Sequence, residues 1–453
     1  MVSRSKLIST NAHSYLDAIA FYGIVLVLLL SYAFTSLESI WQRSAIAALI
    51  AVFGIVRAIS LSVGGSIRRR TIVYLLPLAG IFLIGMLQAG ILPGIPALSK
   101  DPYNTLVFLV YFGALVIAFE ILSSGAGSKR REFVLLSVLF LIACATALYG
   151  FARLLAPDSF GVTPEDYQSF AQFSNRNHFA LAMEMPAGLL AGILIFGRQK
   201  AAWRLLGLVP FAILCYAVVT SSSRGGLAAL AASLVFVVFV RLITAIRPQR
   251  DTGAVGVRIG KRPRNRIGKL AVSIAASLLA GIFIWAAIGF IGGDYVVTRF
   301  SQVNEELTDP ESTRVNRNVI WSATVDLISD RPLLGSGFGA YGESITRFSR
   351  SNGKFQIEQA HNDYLELLAG GGLLGFLFVA AFGALISSRI ANNIRKSEGN
   401  DRAVLVGSAA GILAVLIHSF VDFGLHVLVN ALAFAALIAM ATAGREDRRS
   451  YSD

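Results

Sequence analysis

A chain of 453 residues that is 55% apolar, only 15% charged and of mean hydropathy +0.65 is an integral membrane protein, which excludes the soluble globular classes. The net charge of +13 is what basic cytoplasmic loops against anionic headgroups produce, so it does not call for a nucleic-acid partner. Cys144 and Cys215 both fall inside apolar runs, which excludes a disulfide framework or a thiolate metal site.

A helix needs about 20 apolar residues to cross a hydrocarbon core of about 30 Å. Runs of that kind are predicted at 16–34, 45–63, 71–92, 103–122, 133–155, 178–196, 203–220, 225–246, 270–291, 364–387, 403–420 and 424–443. The fold class is therefore all-α: a polytopic membrane protein of about twelve spans with a large insert, containing short helices, between spans nine and ten. The organisation is residues 1–291 for spans one to nine, 292–360 for the insert, and 361–453 for spans ten to twelve with a tail. The first span reads as an uncleaved anchor, although Ser31-Tyr32-Ala33 resembles a cleavage site. The turn at 421–423 is so short that a re-entrant last hairpin stays open.

Lysines and arginines concentrate in one alternating set of loops, so both termini are expected to be cytoplasmic and the insert to lie on the outer face. The basic run 258–269 joins two spans and lacks interleaved aromatics, which makes it a cytoplasmic loop. A twelve-span transporter is the non-enzymatic alternative. It expects a sizeable central cytoplasmic loop, whereas the connection at 197–202 is short.

Within the insert, Val315, Val319, Ile320, Ala323 and Leu327 recur at helical spacing, predicting an amphipathic helix over 313–327 that lies on the membrane surface. Pro332 ends it, and Gly335-Ser336-Gly337-Phe338-Gly339 makes a structural turn rather than a nucleotide cradle. Asp294, Glu305, Glu306, Asp309 and Glu311 read as a solvated acidic surface, with a divalent-cation site as the rival reading.

His178, His361, His418 and His426 all fall near outer ends of spans, where ionisable groups at membrane depth tend to be functional or paired. His361 stands out because it opens a helix straight from the insert, with Asp363 and Glu366 one turn along to orient its neighbours. His418, Asp422 and His426 are spaced like metal ligands on a helix face, but Phe423-Gly424 breaks such a helix, and no metal is assigned. Arg224, in Ser223-Arg224-Gly225-Gly226, and Arg176, in Asn175-Arg176-Asn177-His178, present guanidinium forks suited to phosphate oxygens; headgroup anchoring is the bland alternative for both.

Those two motifs resemble the O-antigen ligase and polysaccharide polymerase superfamily. So do Arg317 four before Trp321, the Arg331-Pro332-Leu333-Leu334-Gly335 run, His361-Asn362-Asp363-Tyr364-Leu365-Glu366 and His418-Ser419-Phe420-Val421-Asp422. The resemblance covers the chain from about residue 175 onward; the first four spans match only in hydropathy. It implies a multi-pass glycosyltransferase of the bacterial inner membrane, working on the periplasmic face without a cofactor. The donor it implies is an undecaprenyl-diphosphate-linked glycan, and the acceptor is lipid A core or another lipid-linked glycan. The family's essential histidine maps onto His361 and its arginines onto Arg224 and Arg317, with Arg314 competing for the last role. Arg176 joins the diphosphate-binding group, while Asn175, His178, Asp363, Glu366, His418 and Asp422 support the site. The expected reaction is metal-independent and inverting. A lipid diphosphate is already a good leaving group, so it needs cationic donors more than a general acid, while an imidazole takes the acceptor's proton. Ligase, polymerase and protein-glycosylating relatives share this constellation, with a ligase expected first and an exopolysaccharide or O-antigen polymerase as the alternative.

Overall fold

The computed structural model describes residues 2–33, 39–161, 169–246, 317–349 and 356–443. The ninth predicted span, the acidic stretch of the insert and Arg314 lie outside the described residues. Among the described residues thirteen α-helices follow one another: α1 (Val2–Ala33), α2 (Ile40–Ser62), α3 (Arg69–Ala89), α4 (Pro102–Gly125), α5 (Lys129–Leu155), α6 (Arg176–Phe196), α7 (Ala201–Thr220), α8 (Arg224–Ile246), α9 (Arg317–Asp330), α10 (Tyr341–Ile345), α11 (Asp363–Lys396), α12 (Gly399–His418) and α13 (Leu428–Thr442). Ten helices among the described residues are long and apolar enough to cross a membrane, so the chain is an all-α polytopic membrane protein. The last predicted span is shorter than expected: α13 has 15 residues, and a separate 3-10 turn at Gly424–His426 precedes it.

α6 and α12 form the buried axis of the bundle, and most of each is enclosed by other helices. Hydrophobicity cannot drive two helices together inside lipid, so close packing must do it. Gly188 and Gly192 on α6 face Gly407 and Gly411 on α12. A Cβ at Gly188 would stand 2.9 Å from the Gly411 amide nitrogen, and one at Gly411 would stand 2.7 Å from the Met185 carbonyl oxygen. This small-xxx-small pairing brings the two backbones into contact.

α11 is two helices in line. Gly372 adopts φ 62° and ψ −168°, a region open essentially to glycine alone. The apolar helix that the hydropathy predicts from Tyr364 is therefore broken at Gly372 into two segments. The break satisfies its own backbone, as non-helical chain at membrane depth must. Leu373 and Leu374 donate their N–H groups to the carbonyls of Pro332 and Leu333, at 2.8 and 3.1 Å. On the other side, Ser336 N–H donates to Ala369 O and Gly337 N–H to Gly370 O, at 2.8 and 3.1 Å. Gln88 of α3 adds its amide to Leu334 O and Gly370 O, at 2.6 and 2.8 Å, and accepts from Phe338 N–H at 3.0 Å. The glycine-rich segment after Pro332 is thus a structural turn, its donors committed to the α11 break.

α9 runs to Asp330, and the residues it buries are Ile320, Ala323, Thr324 and Leu327, whereas Val319 is exposed. That buried side packs with Tyr341, Ile345, Ile357, Ala360 and Ala369. The amphipathic face expected to lie on the membrane covers the protein instead, because the chain returning through α10 to residue 360 offers it an apolar partner.

Candidate active site

The N-terminal ends of α6, α8 and α11 meet the C-terminal end of α12, and every predicted site histidine lies there. Asn362 is the N-cap of α11, its side chain accepting from the N–H groups of Tyr364 and Leu365 at 3.0 and 3.1 Å. His361, one residue earlier, takes φ 51°, an uncommon conformation for a residue with a side chain. The chain on both sides holds it there. Glu366 Oε2 accepts from Ala360 N–H at 2.9 Å, Trp321 Nε1 donates to Ala360 O at 3.0 Å, and Asp363 N–H donates to Ser419 O at 2.9 Å. The strain turns the imidazole toward the 418–423 turn while leaving its side chain 34% exposed.

Asp422 is the carboxylate it meets. His361 Nδ1 lies 3.7 Å from Asp422 Oδ1, and His178 Nε2 lies 3.8 Å from the same oxygen. Burial alone would push the Asp422 carboxyl up, but the His361 and His178 imidazoles, with His418 behind them and the Phe423 N–H, bring it down to about 2. Asp422 is thus an anion facing two imidazoles. The Phe423 ring packs edge-on against His178 at 4.7 Å, His361 at 5.0 Å and His426 at 5.8 Å, spacing the three rings around one hub.

The remaining two histidines take separate carboxylates. His418 Nδ1 is 2.7 Å from Glu184 Oε1, both side chains being fully buried. His426 sets Nε2 3.5 Å from Asp363 Oδ1 and Nδ1 3.6 Å from Glu366 Oε1, while Ser419 Oγ donates to Asp363 Oδ2 at 2.6 Å. The alternative of His418, Asp422 and His426 as ligands on one helix face fails on this geometry: α12 ends at His418, and the three side chains diverge. Among the described residues no group of three His, Cys, Asp or Glu is arranged to hold a metal ion.

The arginines divide. Arg224 is the exposed first residue of α8, and Gly225 beside it lies against His418, so this guanidinium starts from the histidine end of the bundle. Arg317 opens the described part of α9, one turn before Trp321, whose indole is tied to Ala360 next to His361. Arg176 begins α6, and Asn175 serves as that helix's N-cap, accepting from Asn177 N–H at 2.8 Å.

Sequence reasoning missed Glu184, Ser419, the Phe423 hub and the pairing of His426 with Asp363 and Glu366. Glu184 did carry a signal: it is the lone acid in an otherwise apolar span, and such groups are functional or paired. For Phe423 no signal exists, since one more phenylalanine in an apolar chain is invisible.

Among known families, residues 209–380 match the model described as O-antigen ligase. No curated protein matches the chain. The matched segment holds Arg224, Arg317 and the His361–Glu366 run, and it ends within α11, before α12 and Asp422.

Proposed function

We propose that the chain, whose residues 209–380 match the family model described as O-antigen ligase, is a ligase- or polymerase-type enzyme of surface-polysaccharide assembly that transfers an undecaprenyl-diphosphate-linked glycan to an acceptor sugar hydroxyl at the periplasmic face. The observation that carries this reading is His361: a partly exposed imidazole in a strained backbone conformation, facing the buried Asp422 anion at the end of the bundle where α8 begins with Arg224.

The acceptor oxygen attacks the anomeric carbon as the bond from that carbon to the diphosphate oxygen breaks. Its proton goes to His361, and the bonding pair goes to the diphosphate. Asp422 orients the imidazole as the proton arrives, the role a carboxylate plays behind a catalytic histidine. Arg224 and Arg317, with Arg314 and Arg176 as further members, offer charge-assisted hydrogen bonds to the leaving diphosphate, each contributing about 1.5–3 kcal/mol. Attack opposite the leaving group inverts the anomeric centre, and arginines in this role make a divalent cation unnecessary. A lipid A core acceptor gives ligation; a second lipid-linked glycan gives polymerisation.

The test is transfer in liposomes by the purified full chain, with chelator present, followed by glycan length on a gel. The wild type is expected to extend or transfer glycan, and His361→Ala to lose about 10²–10⁴-fold in rate while remaining inserted. A ladder from lipid-linked repeats alone identifies the polymerase; product only after lipid A core is added identifies the ligase. Native-rate transfer by His361→Ala would sink the base assignment, and an active wild type silenced by chelator would sink metal independence.

A further inference from the structure

At the histidine end of the bundle the mechanism leaves a buried ionisable pair, Glu184 with His418, without a task. Glu184 lies on α6 inside the bundle with its side chain wholly buried, and Oε1 is 2.7 Å from His418 Nδ1 across the α6–α12 contact. Its second oxygen, Oε2, is buried with no hydrogen-bond partner. Interhelical hydrogen bonds inside membranes return little on average, less than burying an ionisable pair costs. Stability alone therefore does not account for the pair.

The far edge of the imidazole points to what it does. An added Cβ at Gly225 would stand 3.2 Å from His418 Nε2 and Cδ2, and 2.6 Å from Val421 Cγ2. Gly226 packs as closely on the other side, where its added Cβ would stand 2.7 Å from Ala180 Cβ of α6. Ser223 Oγ closes this first turn of α8 by accepting from Gly226 N–H at 3.2 Å. Arg224 thus emerges from a backbone wedged between α6 and an imidazole that α6 itself holds.

We propose that Glu184 and His418 are positioning residues for Arg224: the carboxylate fixes the imidazole against which Gly225 rests, and so sets where the Arg224 guanidinium meets the lipid diphosphate. This rests on the reading of Arg224 as a diphosphate ligand.

Binding separates the two claims and needs no knowledge of the sugars. The full chain in nanodiscs would be titrated with undecaprenyl diphosphate and, separately, with undecaprenol, for wild type, Arg224→Lys, Glu184→Gln, Gly225→Ala and the Glu184→Gln/Arg224→Lys double variant. Each single variant is expected to weaken diphosphate binding about tenfold, the loss of one charge-assisted hydrogen bond, with undecaprenol binding unchanged. The double variant should bind no worse than Arg224→Lys alone, and Glu184→Asp should recover part of the loss. If Arg224→Lys weakens binding but Glu184→Gln and Gly225→Ala do not, or if the double variant is additive, the positioning role is overturned and the donor reading stands. Loss of undecaprenol binding in Glu184→Gln would make the pair a packing element, unless Gly225→Ala shows the diphosphate-selective loss. If Arg224→Lys binds diphosphate as the wild type does, the donor reading fails and this inference with it.

Discussion

Charged clusters at opposite ends of the bundle, one around Arg57 and one around Asp422, are built to different standards. At one end Arg57 of α2 meets Asp17 of α1 and Glu120 of α4: Nη1 donates to Asp17 Oδ1 at 2.6 Å, Nη2 to Glu120 Oε1 at 2.8 Å, and Nε to Glu120 Oε2 at 3.1 Å. Every guanidinium nitrogen is engaged, and Ser60 also donates to Asp17. At the other end the imidazoles of His361 and His178 stand 3.7 and 3.8 Å from Asp422, and His361 Nδ1, His178 Nε2, Asp422 Oδ2 and Glu184 Oε2 are buried without a hydrogen-bond partner. Arginine keeps its proton at every physiological pH, so a saturated Arg57 knot can only tie helices together. Imidazoles at loose distances from one carboxylate keep donor and acceptor capacity in reserve, which a proton-transferring site requires. Charge buried in a membrane protein is thus not one signal but two, and saturation separates them.

That contrast breaks most readily through Arg57. Arg57→Met strands the buried Glu120 carboxylate and the half-buried Asp17, and the expected loss is about 3–5 kcal/mol, read as a fall in thermal midpoint in detergent. The specific activity of the fraction that stays folded should be unchanged; a folded Arg57→Met protein without transferase activity would show that the knot is more than a tie. Asp422→Asn is the mirror experiment. About a hundredfold loss of transfer is expected, with a thermal midpoint at or near wild type, because the group is already imperfectly satisfied. The sign of its pH linkage follows from its depressed value: its stabilising contribution is full above the ordinary 3.8 and is lost only as pH falls through about 2, so ordinary assay pH does not touch it. If Asp422→Asn cost stability and spared activity, the two clusters would have exchanged roles. Trp321→Phe gives the smallest effect. It removes the 3.0 Å bond to Ala360 O, worth about 1 kcal/mol, and should slow transfer a few-fold by loosening the backbone that holds His361. A variant as fast as wild type would free His361 from dependence on α9.

Much of the candidate site is legible in the sequence. His361, Arg224 and Arg317 are readable because ionisable residues at the ends of apolar runs are rare and costly, and because their order resembles a known family. Their partners are not. Glu184 and His418 are separated by 234 positions, and no local pattern links them. Asp422 is readable as a member of a motif but not as a carboxylate shared by two imidazoles, since sharing is a property of where three chain segments converge. The metal-like spacing of His418, Asp422 and His426 is already discounted in the sequence by the Phe423-Gly424 break: four-residue spacing aligns side chains only while a helix lasts, and this one stops at His418.

By itself, then, the sequence determined the class of molecule and the line of its spans, because hydropathy over about 20 residues is a local quantity that the bilayer reads directly. Only the tertiary structure decided where α11 is broken. Gly372 breaks that helix because the carbonyls of Pro332 and Leu333 and the amide of Gln88 are at hand to satisfy the opened backbone, and those partners come from the insert and from α3. The structure likewise decided which imidazole faces which carboxylate. Hydrogen bonding and charge pairing act over a few ångströms in space, and a chain folded through a membrane places those few ångströms between residues that the sequence keeps far apart.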